Sequence, residues 1–159
     1  MDERQSSTTA EIEAWAAFRY QIRVWNRLAE RAARGVGLAP QHHQVLLAIK
    51  GFPGEEPPRI VDLAELMQLE HHSIVGLLDR VQHEGLIART HRPDGRGVSI
   101  QMTTEGERNL LAVLTILRPS LALAAAHLIA SLSQLLDKAS GGDVVPSEIR
   151  TRAGALVDR

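Results

Sequence analysis

Trp15, Phe18, Ile22 and Trp25 stand three and four residues apart, so they share one face of a long first helix. Thr8 and Glu11 have capping-box spacing at its expected start, and Gly35 and Gly37 end the run. Pro40 opens a second helix through "APQHHQVLLAIK", with Val45, Leu46 and Ile49 on one side, and the breaker run "GFPGEEPP" closes it. Ile60, Leu63, Ala64 and Met67 then hold i, i+3, i+4, i+7 spacing, which returns after "QLEHH" at Ile74, Leu77, Leu78 and Val81. Two short amphipathic helices a few residues apart are the layout of a helix-turn-helix. Gly85 closes the second, and Leu86, Ile87 and Ala88 with Val98, Ile100 and Met102 predict two short strands around the turn-forming "HRPDGRG". Thr103 or Thr104 starts another helix, with Thr104 and Glu107 at capping-box spacing, which Pro119 is expected to kink or restart. An Ala/Leu-rich helix follows to about Ala139, "SGGD" breaks it, and a short last helix is expected from near Pro146.

The pattern predicts a mainly α chain with a small β hairpin (α+β), organised as one domain over residues 1–159. Residues 38–106 form a winged helix-turn-helix, and helices in 8–35 and 107–159 flank it. Four of the five aromatic residues lie in the first helix, giving it a bulky face that needs a large partner surface, such as a second copy of itself. The absence of cysteine excludes disulfides, thiolate metal sites and cysteine nucleophiles. The polar, acidic start is unlike a secretory signal. The longest apolar stretch, Ser120 to Leu136, is interrupted by polar residues and falls short of a membrane span, so a cytoplasmic protein without membrane contact is expected.

A formal charge of −1 and a pI near 6.7 mean that any contact with DNA must come from a local basic patch. The hairpin tip supplies one. Between Arg89 and Gly97 three arginines stand against a single aspartate, and arginine suits a narrow, electronegative minor groove. Arg96 and Arg92 are the candidates for that groove, with Asp94 placed to hold Arg96 or the turn by a charge-assisted hydrogen bond. Opposite the apolar stripe of the second short helix lie His72, Ser73, Gly76, Arg80 and His83. Ser73 and Gly76 let the backbone approach DNA, His72 can bond a base edge or phosphate, and Arg80 is assigned to phosphate or to pairing with Asp79.

The run from Arg59 to Gly106 closely resembles the MarR family of bacterial transcription regulators. The most specific piece is the wing, where an Asp-x-Arg, a small residue, a β run and Leu-Thr-x-x-Gly appear as Asp94, Arg96, Gly97, Val98 to Met102, Thr103 and Gly106, with Met102 in place of leucine. The resemblance implies an obligate homodimer joined by its first and last helices, with Trp15, Phe18, Ile22, Leu121, Leu128 and Leu132 as dimerisation residues. It implies a regulator, typically a repressor, that binds a near-palindromic double-stranded operator with half-sites roughly 34 Å apart and releases it when a small aromatic or anionic effector binds. Candidate effector residues are Arg19, Arg23, Trp25 and His43. Pro119 and the Gly141-Gly142 pair depart from the family's usual C-terminal pattern.

Each sharp reading has a plainer alternative. The stripe Arg19, Arg23, Arg27 and Arg31 also reads as a solvated face, and Trp15, Phe18 and Trp25 as dimer core before effector cage. The histidine pairs His42-His43 and His71-His72 invite a metal-responsive regulator, but neighbours on a helix diverge by about 100° and do not readily share an ion. No metal or other cofactor is therefore expected. A winged-helix protein-interaction module without DNA binding is the runner-up. An enzyme is not expected, since neither a glycine-rich phosphate loop nor a nucleophile elbow is present.

Overall fold

The computed structural model describes residues 3–92 and 97–139. Its elements in chain order are α1 (Glu3–Gly35), α2 (Pro40–Lys50), α3 (Ile60–Met67), α4 (His71–His83), β1 (Ile87–His91), β2 (Val98–Met102) and α5 (Thr104–Ala139). They divide into two compact units, one within Met1–Asn26 and Ser120–Arg159, the other Arg27–Pro119.

The second unit holds the helix-turn-helix and the hairpin. The apolar stripes read from the sequence meet in its core: Val45, Leu46 and Ile49 of α2, Leu63 of α3, and Ile74, Leu77, Leu78 and Val81 of α4 are all buried. Ala32 and Ala33 from the end of α1, Ile87 and Ile100 of the hairpin, and Leu110, Val113 and Leu117 of α5 complete the same cluster. Each fully buried Leu, Ile or Val contributes about 1.5–3 kcal/mol by leaving water, so this core, and not helix propensity, holds helices as short as α3. At the start of α3 the Asp62 carboxylate accepts from the Arg59 backbone N (2.8 Å) and from its Nε (3.0 Å) and Nη2 (2.9 Å). These bonds from Arg59 hold the Asp62 carboxyl below its ordinary range.

The hairpin pairs Ile87 with Met102 and Arg89 with Ile100 in antiparallel register. It gains a third rung outside the expected strands. The Ile100 N–H donates to the Pro58 carbonyl at 2.8 Å, and Arg59 bridges to Ser99, so the end of the "GFPGEEPP" loop lies along β2. Pro58 lacks an N–H and signals a breaker, yet its carbonyl alone suffices for this rung.

Two helix boundaries differ from the sequence expectation, and a third resolves one that was left open. α1 begins at Glu3, so the Thr8–Glu11 pair lies inside the helix and is not its start. α5 runs unbroken through Pro119 to Ala139; a single missing N–H is tolerated within so long a helix. It is capped by Thr103, not by a Thr104–Glu107 box: Thr103 Oγ1 accepts from the Gly106 N–H at 3.1 Å and donates to the Gly85 carbonyl at 2.7 Å. The helix expected near Pro146 lies outside the described residues.

The continuity of α5 also revises its length as an apolar segment, since Thr104–Asp137 is long and apolar enough to cross a membrane by length and composition. The stretch Ser120 to Leu136, read as too short and too interrupted by polar residues, is only the second half of this helix. Leu110, Val113 and Leu117 are nonetheless buried in the core of the second unit, which commits the first half of the helix to the folded domain.

In the first unit Ala14, Ser131 and Leu135 are buried. Many large apolar side chains there face solvent, among them Ile12, Trp15, Tyr20, Leu121, Leu123, Ile129 and Leu136, each at least half exposed. Phe18, Ile22 and Leu128 are half-buried and Leu132 is exposed.

Candidate nucleic-acid interface

On α4 the apolar stripe turned to the core leaves His72, Ser73, Asp79, Arg80 and His83 exposed and Gly76 half-buried on the other side. This is the face drawn from the sequence. Gly76 carries no side chain, and the site where a Cβ would sit lies 3.8 Å from Arg80 Nη1. Arg80 therefore folds back along α4, as long helical side chains do.

Asp79 does not pair with Arg80. Its Oδ1 accepts from Arg89 Nη1 at 2.6 Å, which ties α4 to β1. Arg89 lies within the strand, opposite Ile100, and not at the hairpin tip, because β1 extends to His91. An open depression lined by Asp79, Gln82, His83 and Arg89 lies beside this contact.

The wing closes where the Arg92 N–H donates to the Gly97 carbonyl at 3.1 Å. The Arg92 side chain pairs with Glu56 of the loop before α3, an acid the sequence reading did not single out. Glu56 and Arg92 are far apart in the chain, and the rung between Pro58 and β2 brings that loop to the wing. Arg92 is thus placed at the base of the wing, and Asp94 and Arg96 lie outside the described residues.

The far end of α4 is fixed to α2. His42 is buried, and its Nδ1 stands 2.8 Å from Oε2 of Glu84, the residue that caps α4. A carboxylate at a helix C-terminus opposes the helix dipole, and the imidazole N–H compensates it. Neither residue was assigned a role from the sequence, since a contact between α2 and α4 has no local signature.

Of the candidate effector residues, Arg19 and Arg23 are exposed on α1 with Arg27 and Arg31, and Trp25 is half-buried. His43 is buried in the second unit, and its Nε2 has no hydrogen-bond partner among the described residues. Burial holds the His43 imidazole below its ordinary range. The folded chain thus keeps His43 neutral, whereas the unfolded chain takes up a proton as pH falls through about 6.5. The unfolded state then binds more protons, so stability falls from about pH 6.5 downward until the lowered folded value is passed. The wild-type melting temperature should drop further than that of His43→Leu between about pH 7.5 and about pH 5.5. Equal drops would contradict this assignment. Among the described residues, no group of three or more His, Asp or Glu side chains is placed to hold a metal ion.

A helix-turn-helix whose second helix presents a polar, small-residue face, followed at once by a hairpin, defines a winged helix-turn-helix protein. Residues 36–97 match the model of the MarR family. A crystal structure of a MarR family transcription regulator is 22% identical, covering 99% of this chain and 91% of its own, with a TM-score of 0.64. A mutant MarR from E. coli complexed with operator DNA is 21% identical over 76% of this chain and 88% of its own, with a TM-score of 0.62. A mutant MepR from S. aureus bound to an oligodeoxyribonucleotide is 15% identical over 89% of this chain and 90% of its own, with a TM-score of 0.57. The mainly α fold with its two-stranded wing is the one these structures share.

Proposed function

We propose that the chain is a sequence-specific DNA-binding transcription regulator that works as a homodimer in the cytoplasm. The observation that carries this reading is the exposed face of α4, with Ser73, Gly76 and Arg80 side by side next to an arginine-bearing wing in a MarR-family domain. The operator-bound MarR and the oligonucleotide-bound MepR support it by shared fold. In this account His72 and Ser73 meet the major groove, while Arg96 approaches the flanking minor groove with Asp94 positioning the tip. The exposed apolar side chains of the first unit, Trp15 and Leu121 among them, support self-association, because a monomer rarely leaves so much apolar surface in water. Phe18, Ile22, Leu128 and Leu132 join that interface. We further infer a repressor relieved by a small aromatic or anionic effector, with His43 as a contact within the winged unit. The buried, unpartnered His43 Nε2 supports a polar effector atom at that position.

Arg96→Ala tests the wing. It should weaken binding to a specific duplex at least tenfold and lower the salt slope by roughly one unit, with dimer and melting temperature unchanged. Equal affinity of variant and wild type would refute the wing assignment.

A further inference from the structure

We propose that Arg80 is a base-reading residue that specifies a guanine in each half-site, and not the phosphate anchor its position one turn beyond Gly76 suggests. The proposal rests on the DNA-binding reading above. Three observations carry it. First, the guanidinium folds back toward the helix N-terminus, with Nη1 3.8 Å from the empty Cβ site of Gly76. That places the fork over the part of α4 made of Ser73 and Gly76, where small side chains leave room for base edges.

Second, the acid beside Arg80 does not draw it away, because the Asp79 carboxylate is taken by Arg89 at 2.6 Å. Arg80 is exposed, and its side chain makes no hydrogen bond or ion pair with a described residue. Among the described residues, the wing arginines Arg89 and Arg92 are held by Asp79 and Glu56. Third, the chemistry selects the base. A planar fork of donors matches the two acceptors that guanine shows in the major groove, O6 and N7, and a lysine ammonium does not reproduce that bidentate pattern. The Asp79–Arg89 pair thereby acts in specificity at one remove, by keeping the neighbouring carboxylate from competing for the Arg80 fork.

The test compares wild type, Arg80→Lys and Arg80→Ala, each as the full chain, in selection from a pool of random duplexes followed by titration of the wild-type consensus and of unrelated duplex. Arg80→Lys should retain the rest of the consensus but lose the guanine at one symmetric pair of positions. Its affinity for the wild-type consensus should fall about tenfold or more, and its affinity for unrelated duplex should stay within about twofold, because the charge is kept. Arg80→Ala should show the same relaxed position and weaker binding to every duplex, with an unchanged melting temperature. Selection by Arg80→Lys of the full wild-type consensus at wild-type affinity would overturn the base-reading role and leave DNA binding intact. Failure of the wild type itself to enrich any sequence would overturn the DNA-binding reading, and this assignment with it.

Discussion

Leu78→Asp should leave the chain without a folded winged unit. Leu78 is 0% exposed and lies among Leu63, Ile74, Val81 and Ile100 in the core cluster. Losing the leucine side chain costs about 2–5 kcal/mol, and an unpaired carboxylate at the same place adds several more. A domain with about 5–15 kcal/mol of stability does not absorb that total. The expected result is loss of cooperative melting. A soluble Leu78→Asp protein that melts cooperatively near the wild-type temperature would show that α4 presents a different face to the core.

Gly106→Ala should destabilise the same unit by about 2–4 kcal/mol, against the gain of about 1 kcal/mol expected for alanine over glycine in a helix. A Cβ at Gly106 would stand 2.2 Å from the Leu86 carbonyl oxygen and 2.9 Å from Met102 Cγ. The Leu86 carbonyl cannot simply move aside, because it accepts the Thr103 N–H at 3.1 Å. Thr103 in turn caps α5 through Gly106 and grips the Gly85 carbonyl. Gly85 itself sits at φ +72, the left-handed backbone that ends α4 and turns the chain into the wing. The substitution therefore disturbs a junction where α4, the hairpin and α5 meet. Thermal melting checks it. An unchanged or higher melting temperature would contradict the close approach drawn here.

This junction also shows how much was legible beforehand. Thr103 and Gly106 stood out in the sequence as part of the wing motif, but their physical reason is the contact with Gly85 and Leu86, which no local spacing encodes. The helix-turn-helix was readable because its stripes, Leu63 on α3 and Ile74, Leu77, Leu78 and Val81 on α4, face one core, so periodicity and burial agree. The exposed face of α4 followed directly as its complement. Long-range ion pairs were not readable. Arg89 was placed at the tip because the strand was drawn two or three residues short, and its partner Asp79 was offered to Arg80 instead. Glu56 was hidden in a breaker run whose last residues lie along β2. Pro119 does not restart the helix, since α5 continues through it although local propensity disfavours proline there.

The measurement that tests the central claim most directly is binding of the purified full-length chain to the DNA immediately upstream of its own gene. It is made at two salt concentrations with unrelated duplex as competitor. A dimeric winged helix-turn-helix regulator gives tight binding that survives the competitor and weakens steeply as salt rises, one unit of slope for roughly each phosphate contact. Weak binding erased by the competitor, together with no sequence enriched from a random duplex pool, would contradict the account and leave a winged-helix fold that does not read DNA.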